Sequence, residues 1–265
     1  MTINTYLEEL GSSLVLSENE KSNVATSITT LESRLNSYFD NLAEDFAFGS
    51  YTRRTILPRS ADEQSDIDYM VVFNGGEKYT PQTCLNWLKG FAEYHYRASE
   101  IHQSSPTMVL ELNHIKFELV PAYTEYEAYY IPDGRGGWMF TSPNNFNKKL
   151  TEANNNNGYK VKPTIRLIKH WNIAKNNRDL ASFKMEQKIA DLLYYPQYGY
   201  SNYVDYLLKT LKEFYGCFYL YGYTTSGGAT RTNNAISRIH DAIWYENHNQ
   251  QDRAMYCIKS VFPEL

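Results

Sequence analysis

The chain has 265 residues, which is long enough for a sizeable core and for either one large domain or two fused lobes. Hydrophobic residues make up 42% of the sequence and charged residues 21%, which excludes a wholly disordered protein. With 26 Lys and Arg against 30 Asp and Glu, the net charge is -4. This excludes the overall positive field that holds long nucleic acid, but it leaves room for a local phosphate site.

The cysteines and the hydropathy pattern predict a cytoplasmic protein. Cys84, Cys217 and Cys257 stand far apart without the spacing of metal ligands, which is typical of reduced intracellular thiols. The first residues carry acids where a signal peptide needs bases, and no apolar run approaches the ~18 residues that span a bilayer. We therefore expect no membrane partner.

The first predicted lobe covers residues 1–135 and mixes helices with strands. Ser17 and Glu20 form the pattern of a capping box, and apolar residues at steps of three and four continue a long helix to about Leu42. Thr80 and Pro81 open a second helix that runs to about residue 97. Short β-rich runs predict strands at 46–50, 66–73, 107–112 and 115–122, the last two as a hairpin.

The second predicted lobe covers residues 136–265 and is all-helical. An Asn-rich stretch leads to Pro163, which suits the first residue of a helix that buries Trp171 on its apolar stripe. Further helical patterns occupy 182–194, 201–215 and 231–262. The fold class predicted from this order of elements is α+β.

Two aspartates predict a metal site at the start of the strand 66–73. Alternate residues on a strand share a face, so Asp66 and Asp68 point the same way, with Cα atoms roughly 6.6 Å apart. Paired carboxylates repel each other unless a cation lies between them, and Mg²⁺ prefers such oxygens. Upstream, Gly49 and Ser50 form a turn that suits phosphate oxygens. Either feature alone is more often an ordinary turn or a pair of solvated acids.

A third carboxylate on a neighbouring strand would complete a two-ion site for nucleotidyl transfer. Glu118 is the best placed candidate, and Glu111 on the preceding strand is its rival. The alternative for Glu118 is a structural cross-strand pair with a lysine such as Lys116.

Three segments together resemble a known family: GSYTRRT (49–55), SDIDYMVVF (65–73) and IKFELVPAY (115–123). They are similar to the polymerase-β-type nucleotidyltransferases, and specifically to the bacterial cGAS/DncV-like group (CD-NTases, with a SMODS domain). The run 142–172, which ends in a K-x-W motif, and SFKMEQ (182–187) extend the resemblance into the second lobe. The fold implied is a nucleotidyltransferase lobe with a long N-terminal helix, packed on a C-terminal helical lobe, with the active site in the cleft between them.

The resemblance also implies an activity and its residues. The enzyme would be a synthase of cyclic di- or trinucleotides that uses nucleoside triphosphates, ATP among them, and two Mg²⁺ ions, for which Mn²⁺ can substitute. Asp66, Asp68 and Glu118 would be catalytic and hold the metal ions. Five further residues would bind nucleotide: Gly49, Ser50 and Lys169 through the donor phosphates, Ser182 beside them, and Phe183 by stacking on the donor base.

The implied product is a second messenger that switches on a separate effector in antiphage defence. The sequence departs from the family pattern at Arg54, where many relatives have glycine, and at Glu118, where aspartate is commoner. No Cys and His cluster resembles the zinc insert of the animal DNA sensor, so we expect no partner in long double-stranded DNA.

Several alternatives stay open at this point. Lys169 could be a solvated surface lysine, Ser182 a helix N-cap and Phe183 a core residue. A non-cyclising nucleotidyltransferase that acts on an RNA 3′ end or on a protein would share the two-metal chemistry. It should carry a basic track for RNA, which a chain of net charge -4 does not show. A nucleotide-binding module on an inactive fold would be expected to lack one of the carboxylates.

Overall fold

The structure is a computed structural model that describes residues 1–104, 106–218, 222 and 224–265. The chain packs into two compact units. The sheet unit comprises Leu16–Arg59 and Gln64–Asn147, and the helical unit comprises Met1–Val15, Ser60–Glu63 and Lys148–Leu265. The predicted boundary between residues 135 and 136 stays a prediction, because each of the two units is built from more than one segment of the chain.

The sheet unit is built on a mixed sheet in which β2 and β5 pair in parallel at the centre. The five main strands follow the order β1-β2-β5-β4-β3, and β6 and β7 extend from β5. The strands are β1 (Leu42–Phe48), β2 (Asp66–Phe73), β3 (Glu100–Ser104), β4 (Thr107–Glu111), β5 (Lys116–Glu125), β6 (Ala128–Pro132) and β7 (Trp138–Thr141). The hairpin predicted from residues 107–112 and 115–122 is confirmed, because β4 and β5 pair in antiparallel.

Two long helices of this unit contribute to a core on one face of the sheet. Helix α2 (Glu18–Tyr38) begins with the predicted capping box, in which Ser17 and Glu20 satisfy each other's backbone amides. Helix α4 (Pro81–His95) has Thr80 as its N-cap. Both helices bury leucines against the odd-numbered residues of β2, such as Val71. The even-numbered residues of β2, and with them Asp66 and Asp68, therefore lie on the opposite face.

The structure corrects several predicted boundaries in the sheet unit. The strand predicted at 46–50 is β1, which ends at Phe48, and Gly49 begins a short helix α3 (Gly49–Arg53). Helix α2 ends at Tyr38 rather than near Leu42. The strands β3, β6 and β7 were not predicted, because they are short and lack a clear period of two.

The helical unit contains helices contributed by both ends of the chain. They are α1 (Ile3–Ser13), α6 (Val161–Ala174), α7 (Ser182–Leu192), α8 (Tyr203–Glu213), α9 (Ser226–Asn247) and α10 (Gln251–Val261). Helix α5 (Pro143–Asn156) spans the boundary between the two units. The Asn-rich run thus forms a helix that the sequence did not predict.

Two further predictions are wrong in detail. Pro163 is the third residue of α6 rather than the first. A proline is tolerated there, because the amide groups of the first turn of a helix have no carbonyl partner within the helix. The single helix predicted over 231–262 is two helices, because the chain turns at His248–Gln250 and Asn249 adopts a left-handed backbone with φ of 59°.

The helices and the cysteines can be compared with the sequence predictions. Within the described ranges, no helix is both long and apolar enough to cross a membrane. Cys84 and Cys257 are buried free thiols, and burial raises the pKa of Cys84 to about 11. The side chain of Cys217 lies outside the part of the chain that the structure describes.

Candidate active site

The pairing of β2 with β5 aligns the three predicted carboxylates. In the parallel register, Asp68 lies opposite Glu118, and Asp66 lies opposite Lys116. Residues that face each other across a ladder point to the same side of the sheet, so Asp66, Asp68 and Glu118 share one face. This is the face opposite the core formed with α2 and α4. The sheet thus brings together all three carboxylates that the sequence singled out.

Gly49 allows the turn after β1 to approach Asp68 closely. Its φ is +72°, and a Cβ atom at this position would lie 1.8 Å from Oδ2 of Asp68. Only glycine leaves room for the carboxylate here, so the predicted Gly-Ser turn and the predicted acids are neighbours. Ser50 is the second residue of α3, and its carbonyl accepts bonds from the amides of Thr55 and Ile56.

Arg54 departs from the family pattern at a position where the backbone favours glycine, and nothing in the structure explains the arginine. Arg54 is the C-cap of α3 and adopts the left-handed conformation, with φ of 60°. Glycine is the residue that this conformation favours at the end of a helix. The glycine of many relatives therefore suits the local geometry better than the arginine of this chain.

Lys116, which the sequence offered as a structural partner of Glu118, does lie beside it among the carboxylates, but on the same strand β5 rather than across the ladder. Its Nζ atom is 3.3 Å from Oδ2 of Asp66 and 3.5 Å from Oε1 of Glu118. Burial raises the pKa of Asp66 to about 6, the charge of Glu118 adds to this, and Lys116 opposes it. Burial acts to lower the pKa of Lys116, but the charges of Asp66 and Glu118 outweigh it and the pKa is raised.

The donor set fits a divalent cation in its chemistry. It offers carboxylate oxygens from two adjacent strands, and the ammonium group of Lys116 already lies between two of them as a positive charge. Among the residues that the structure describes, no three acidic, His or Cys side chains converge closely enough to hold a metal ion. The ligand type and the register would suit a divalent cation, but the described side chains do not form a closed metal site as they stand, and Lys116 lies between two of the acids.

The rival acid Glu111 has a different partner. Oε1 of Glu111 lies 3.1 Å from Nη2 of Arg59, and the residue opposite Glu111 in the ladder is Lys116. On β4, the strand that carries Glu111, the residue opposite Glu118 is Val109. Glu118 is therefore directly beside Asp68, whereas Glu111 is two residues farther along β4 and is neutralised by an arginine.

The helical unit holds the predicted nucleotide-binding residues on α6 and α7. Lys169 is not a solvated surface residue, because only 8% of its side chain is exposed and it forms an ion pair with Glu186, whose side chain is 1% exposed. Glu186 is the fifth residue of the segment SFKMEQ (182–187), and its pairing with Lys169 was not predicted from the sequence. The missed signal is that a buried lysine needs an opposite charge nearby.

Ser182 and Phe183 begin helix α7. The N-cap of this helix is Ala181, so the alternative role of Ser182 as an N-cap is wrong. Phe183 is 50% exposed, so the alternative of a core residue is wrong as well. Trp171, in contrast, is 1% exposed and is confirmed as a core residue of the helical unit.

Comparisons with known proteins place these observations in a family. A model of the Second Messenger Oligonucleotide or Dinucleotide Synthetase domain (SMODS) matches residues 1–154, which is more than half of the chain. A protein of Bacillus cereus (strain VD146) named "Probable cyclic nucleotide synthase" is 28% identical over 274 residues, covering 83% of this chain and 81% of the relative. A cyclic AMP-AMP-AMP synthase of Acinetobacter sp. is 26% identical over 183 residues, which cover 65% of this chain and 52% of the relative.

The solved structures include Vibrio cholerae DncV, a cyclic AMP-GMP synthase, in complex with a linear intermediate. The TM-score is 0.69 at 13% identity, and the alignment covers 99% of this chain and 81% of that chain. At this identity the likeness establishes the fold, which confirms the predicted α+β architecture. The predicted kind of enzyme, a nucleotidyltransferase that makes a cyclic oligonucleotide, agrees with the family model and with the names of the relatives. The chain belongs to the SMODS family of second messenger oligonucleotide or dinucleotide synthetases.

Proposed function

We propose that this protein joins nucleoside triphosphates into a cyclic di- or trinucleotide at the face of the sheet that carries Asp66, Asp68 and Glu118. The observation that carries the proposal is the register of β2 and β5, which sets Asp68 beside Glu118 and keeps Asp66 on the same face. A hydroxyl of one nucleotide forms a bond to the α-phosphorus of another. The bond to the β-phosphate oxygen breaks, and pyrophosphate and a proton leave. A cyclic dinucleotide needs one such transfer and a cyclic trinucleotide needs two, and a last transfer within the linear product closes the ring and releases one more pyrophosphate.

The residues of the sheet unit would act together in this chemistry. Asp66, Asp68 and Glu118 would hold two Mg²⁺ ions, or Mn²⁺ in their place. When bound, these ions lower the pKa of the attacking hydroxyl and neutralise the charge of the triphosphate. Gly49 keeps the backbone close to Asp68 and, with Ser50, would contact the donor phosphates. Lys116 balances the charge of the acids when no metal is bound.

Lys169, Ser182 and Phe183 stay proposed as contacts of the donor nucleotide. Phe183 is half exposed at the first turn of α7, which suits a ring that stacks on a base. The ion pair between Lys169 and Glu186 gives Lys169 a structural role as well, so a contact with phosphate would add to an existing interaction.

The substrates and the biological setting extend this proposal. The DncV complex contains 5′-pppA(3′,5′)pG, a linear intermediate of that synthase. By analogy, this chain would use ATP or another nucleoside triphosphate and pass through a linear product. The cyclic product would act in the cytoplasm as a second messenger for a separate effector in antiphage defence.

The proposal is tested by a product analysis. Purified protein is incubated with Mg²⁺ or Mn²⁺ and four labelled nucleoside triphosphates, the mixture is treated with phosphatase, and resistant products are identified by mass spectrometry. We expect a cyclic product from the native protein and none from Asp66→Ala/Asp68→Ala. Glu93→Ala/Glu125→Ala removes two exposed acids of the same unit and is the matched control, which should remain active.

Three results would contradict the proposal. A cyclic product from Asp66→Ala/Asp68→Ala would remove the carboxylates from the mechanism. Only linear products, or label on added RNA or protein, would identify a non-cyclising nucleotidyltransferase. Binding of nucleotide without any product under both metal conditions would indicate a binding module.

A further inference from the structure

The helical unit contains a groove of about 270 Å³ between helices α6, α9 and α10. Its floor is apolar and its walls carry three cationic side chains. The floor is formed by Trp171, Ala235 and Val261, and the walls by Lys175, Arg231 and Arg238. None of the residues that line this groove is acidic. We call it the cationic groove.

Two of the three cations of the cationic groove, Lys175 and Arg238, are only weakly neutralised. Within the described part of the chain, Lys175 has no ion pair. Arg238 is 4.0 Å from Asp241, and both side chains are about half exposed, so that pair contributes little. Arg231 is partly neutralised, because it lies 3.9 Å from Asp179, whose side chain is only 8% exposed. Two weakly paired cations beside Arg231 give the groove a positive potential, which favours a ligand of negative charge.

Arg231 is held in place for such a ligand. Its Nε donates to Oδ1 of Asn176 at 3.0 Å, and Nη2 donates to the carbonyl oxygen of the same residue at 3.2 Å. A guanidinium that is already oriented loses less conformational freedom when it binds a phosphate. Lys175 and Arg238 are exposed at the rim and can close on the same anion.

The cationic groove is separate from the predicted nucleotide contacts on α6. Successive residues of an α-helix are about 100° apart, so Trp171 lies about 200° around the axis from Lys169. Lys169 faces Glu186 on α7, whereas Trp171 and Lys175 face α9 and α10. A ligand of the cationic groove therefore cannot be the donor triphosphate that Lys169 would contact.

We infer that the cationic groove is a second binding site, which takes a phosphorylated small molecule of about the size of a nucleoside monophosphate. The cations select the phosphate, and the apolar floor accepts a planar group such as a base. The ligand is either a nucleotide related to the substrates or product, or another phosphorylated compound. This inference concerns binding alone and does not depend on the proposed reaction.

The test is isothermal titration calorimetry with AMP and with pyrophosphate, in buffer without divalent metal. The variant Lys175→Gln/Arg238→Gln removes two exposed cations and should leave the fold unchanged. Lys148→Gln/Lys212→Gln removes two exposed lysines of the same unit and is the matched control. We expect at least one probe to bind the native and control proteins, and to bind the groove variant roughly ten-fold or more weakly.

A third variant, Phe183→Ala, separates the cationic groove from the donor site. Binding of AMP that survives Phe183→Ala and is lost in Lys175→Gln/Arg238→Gln supports the inference. If only AMP binds, the site prefers a nucleotide, and if pyrophosphate binds equally well, the phosphate dominates; both results support a phosphate site. Equal affinity in the native protein and the groove variant, loss of binding in Phe183→Ala alone, or no binding of either probe would overturn it.

Discussion

The ion pair between Lys169 and Glu186 predicts a large loss of stability when Lys169 is replaced by methionine. Methionine keeps most of the length of the side chain but removes its charge. Glu186 would then remain as a carboxylate whose side chain is 1% exposed. Breaking one partner of a buried ion pair costs about 3–5 kcal/mol, because the other charge is left without compensation.

This cost converts into a measurable shift of the melting temperature. For a protein of this size, 1 kcal/mol corresponds to roughly 2–4 °C, so Lys169→Met should melt about 6–20 °C below the native protein. Differential scanning calorimetry measures the shift. Lys148→Met, which changes an exposed lysine of the same unit, is the control and should have the melting temperature of the native protein.

The double variant Lys169→Met/Glu186→Met decides the origin of the effect. When both charges are removed together, no buried charge is left unpaired, and most of the lost stability should return. Nucleotide binding need not return with it, because the proposed contact with phosphate requires the ammonium group. Two results would contradict a stabilising ion pair. Lys169→Met could have the melting temperature of the native protein, or the double variant could have a lower melting temperature than Lys169→Met.

Three further predictions concern the sheet unit. Glu118→Gln should abolish turnover and weaken Mn²⁺ binding measured by calorimetry, whereas Glu111→Gln should leave both nearly unchanged; the opposite pattern would make Glu111 the third acid. Gly49→Ala should abolish turnover and lower the melting temperature, because the added Cβ would meet Oδ2 of Asp68 at 1.8 Å; an active, stable variant would contradict this. The pKa of Asp66 is raised from 3.8 to about 6, so the stability gained from its protonation is present below about pH 4 and is lost as the pH rises through 6. Mg²⁺ should therefore raise the melting temperature more at pH 7 than at pH 5, and an equal shift at both would argue against Asp66 as a ligand.

Features encoded by neighbouring residues could be predicted from the sequence. The capping box of Ser17 and Glu20 begins α2, because the side chain of each residue accepts a hydrogen bond from the backbone amide of the other within one turn. The shared face of Asp66 and Asp68 follows from the period of two along a strand. The family resemblance rested on these same local segments, which is why the fold and the kind of enzyme were predicted correctly.

Other features escaped the local patterns. Helix α5 forms from an Asn-rich run whose composition is typical of a loop. Leu150 and Ala153 are fully buried, and Glu152 accepts a hydrogen bond from Tyr194. This packing outweighs a weak helix propensity. The break between α9 and α10 depends on the left-handed backbone of Asn249, which no helical period reveals. Both cases required the tertiary structure.

The sequence by itself determined which chemical groups this protein has, in which short segments they lie, and that two carboxylates of β2 share one face. Only the tertiary structure decided most of their partners: Lys116 with Asp66, Arg59 with Glu111, and Glu186 with Lys169. The cationic groove likewise joins residues that lie up to 90 positions apart, from Trp171 to Val261. Electrostatic interactions depend on distance in space and on exposure to water, and both are set by strand register and helix packing rather than by separation along the chain.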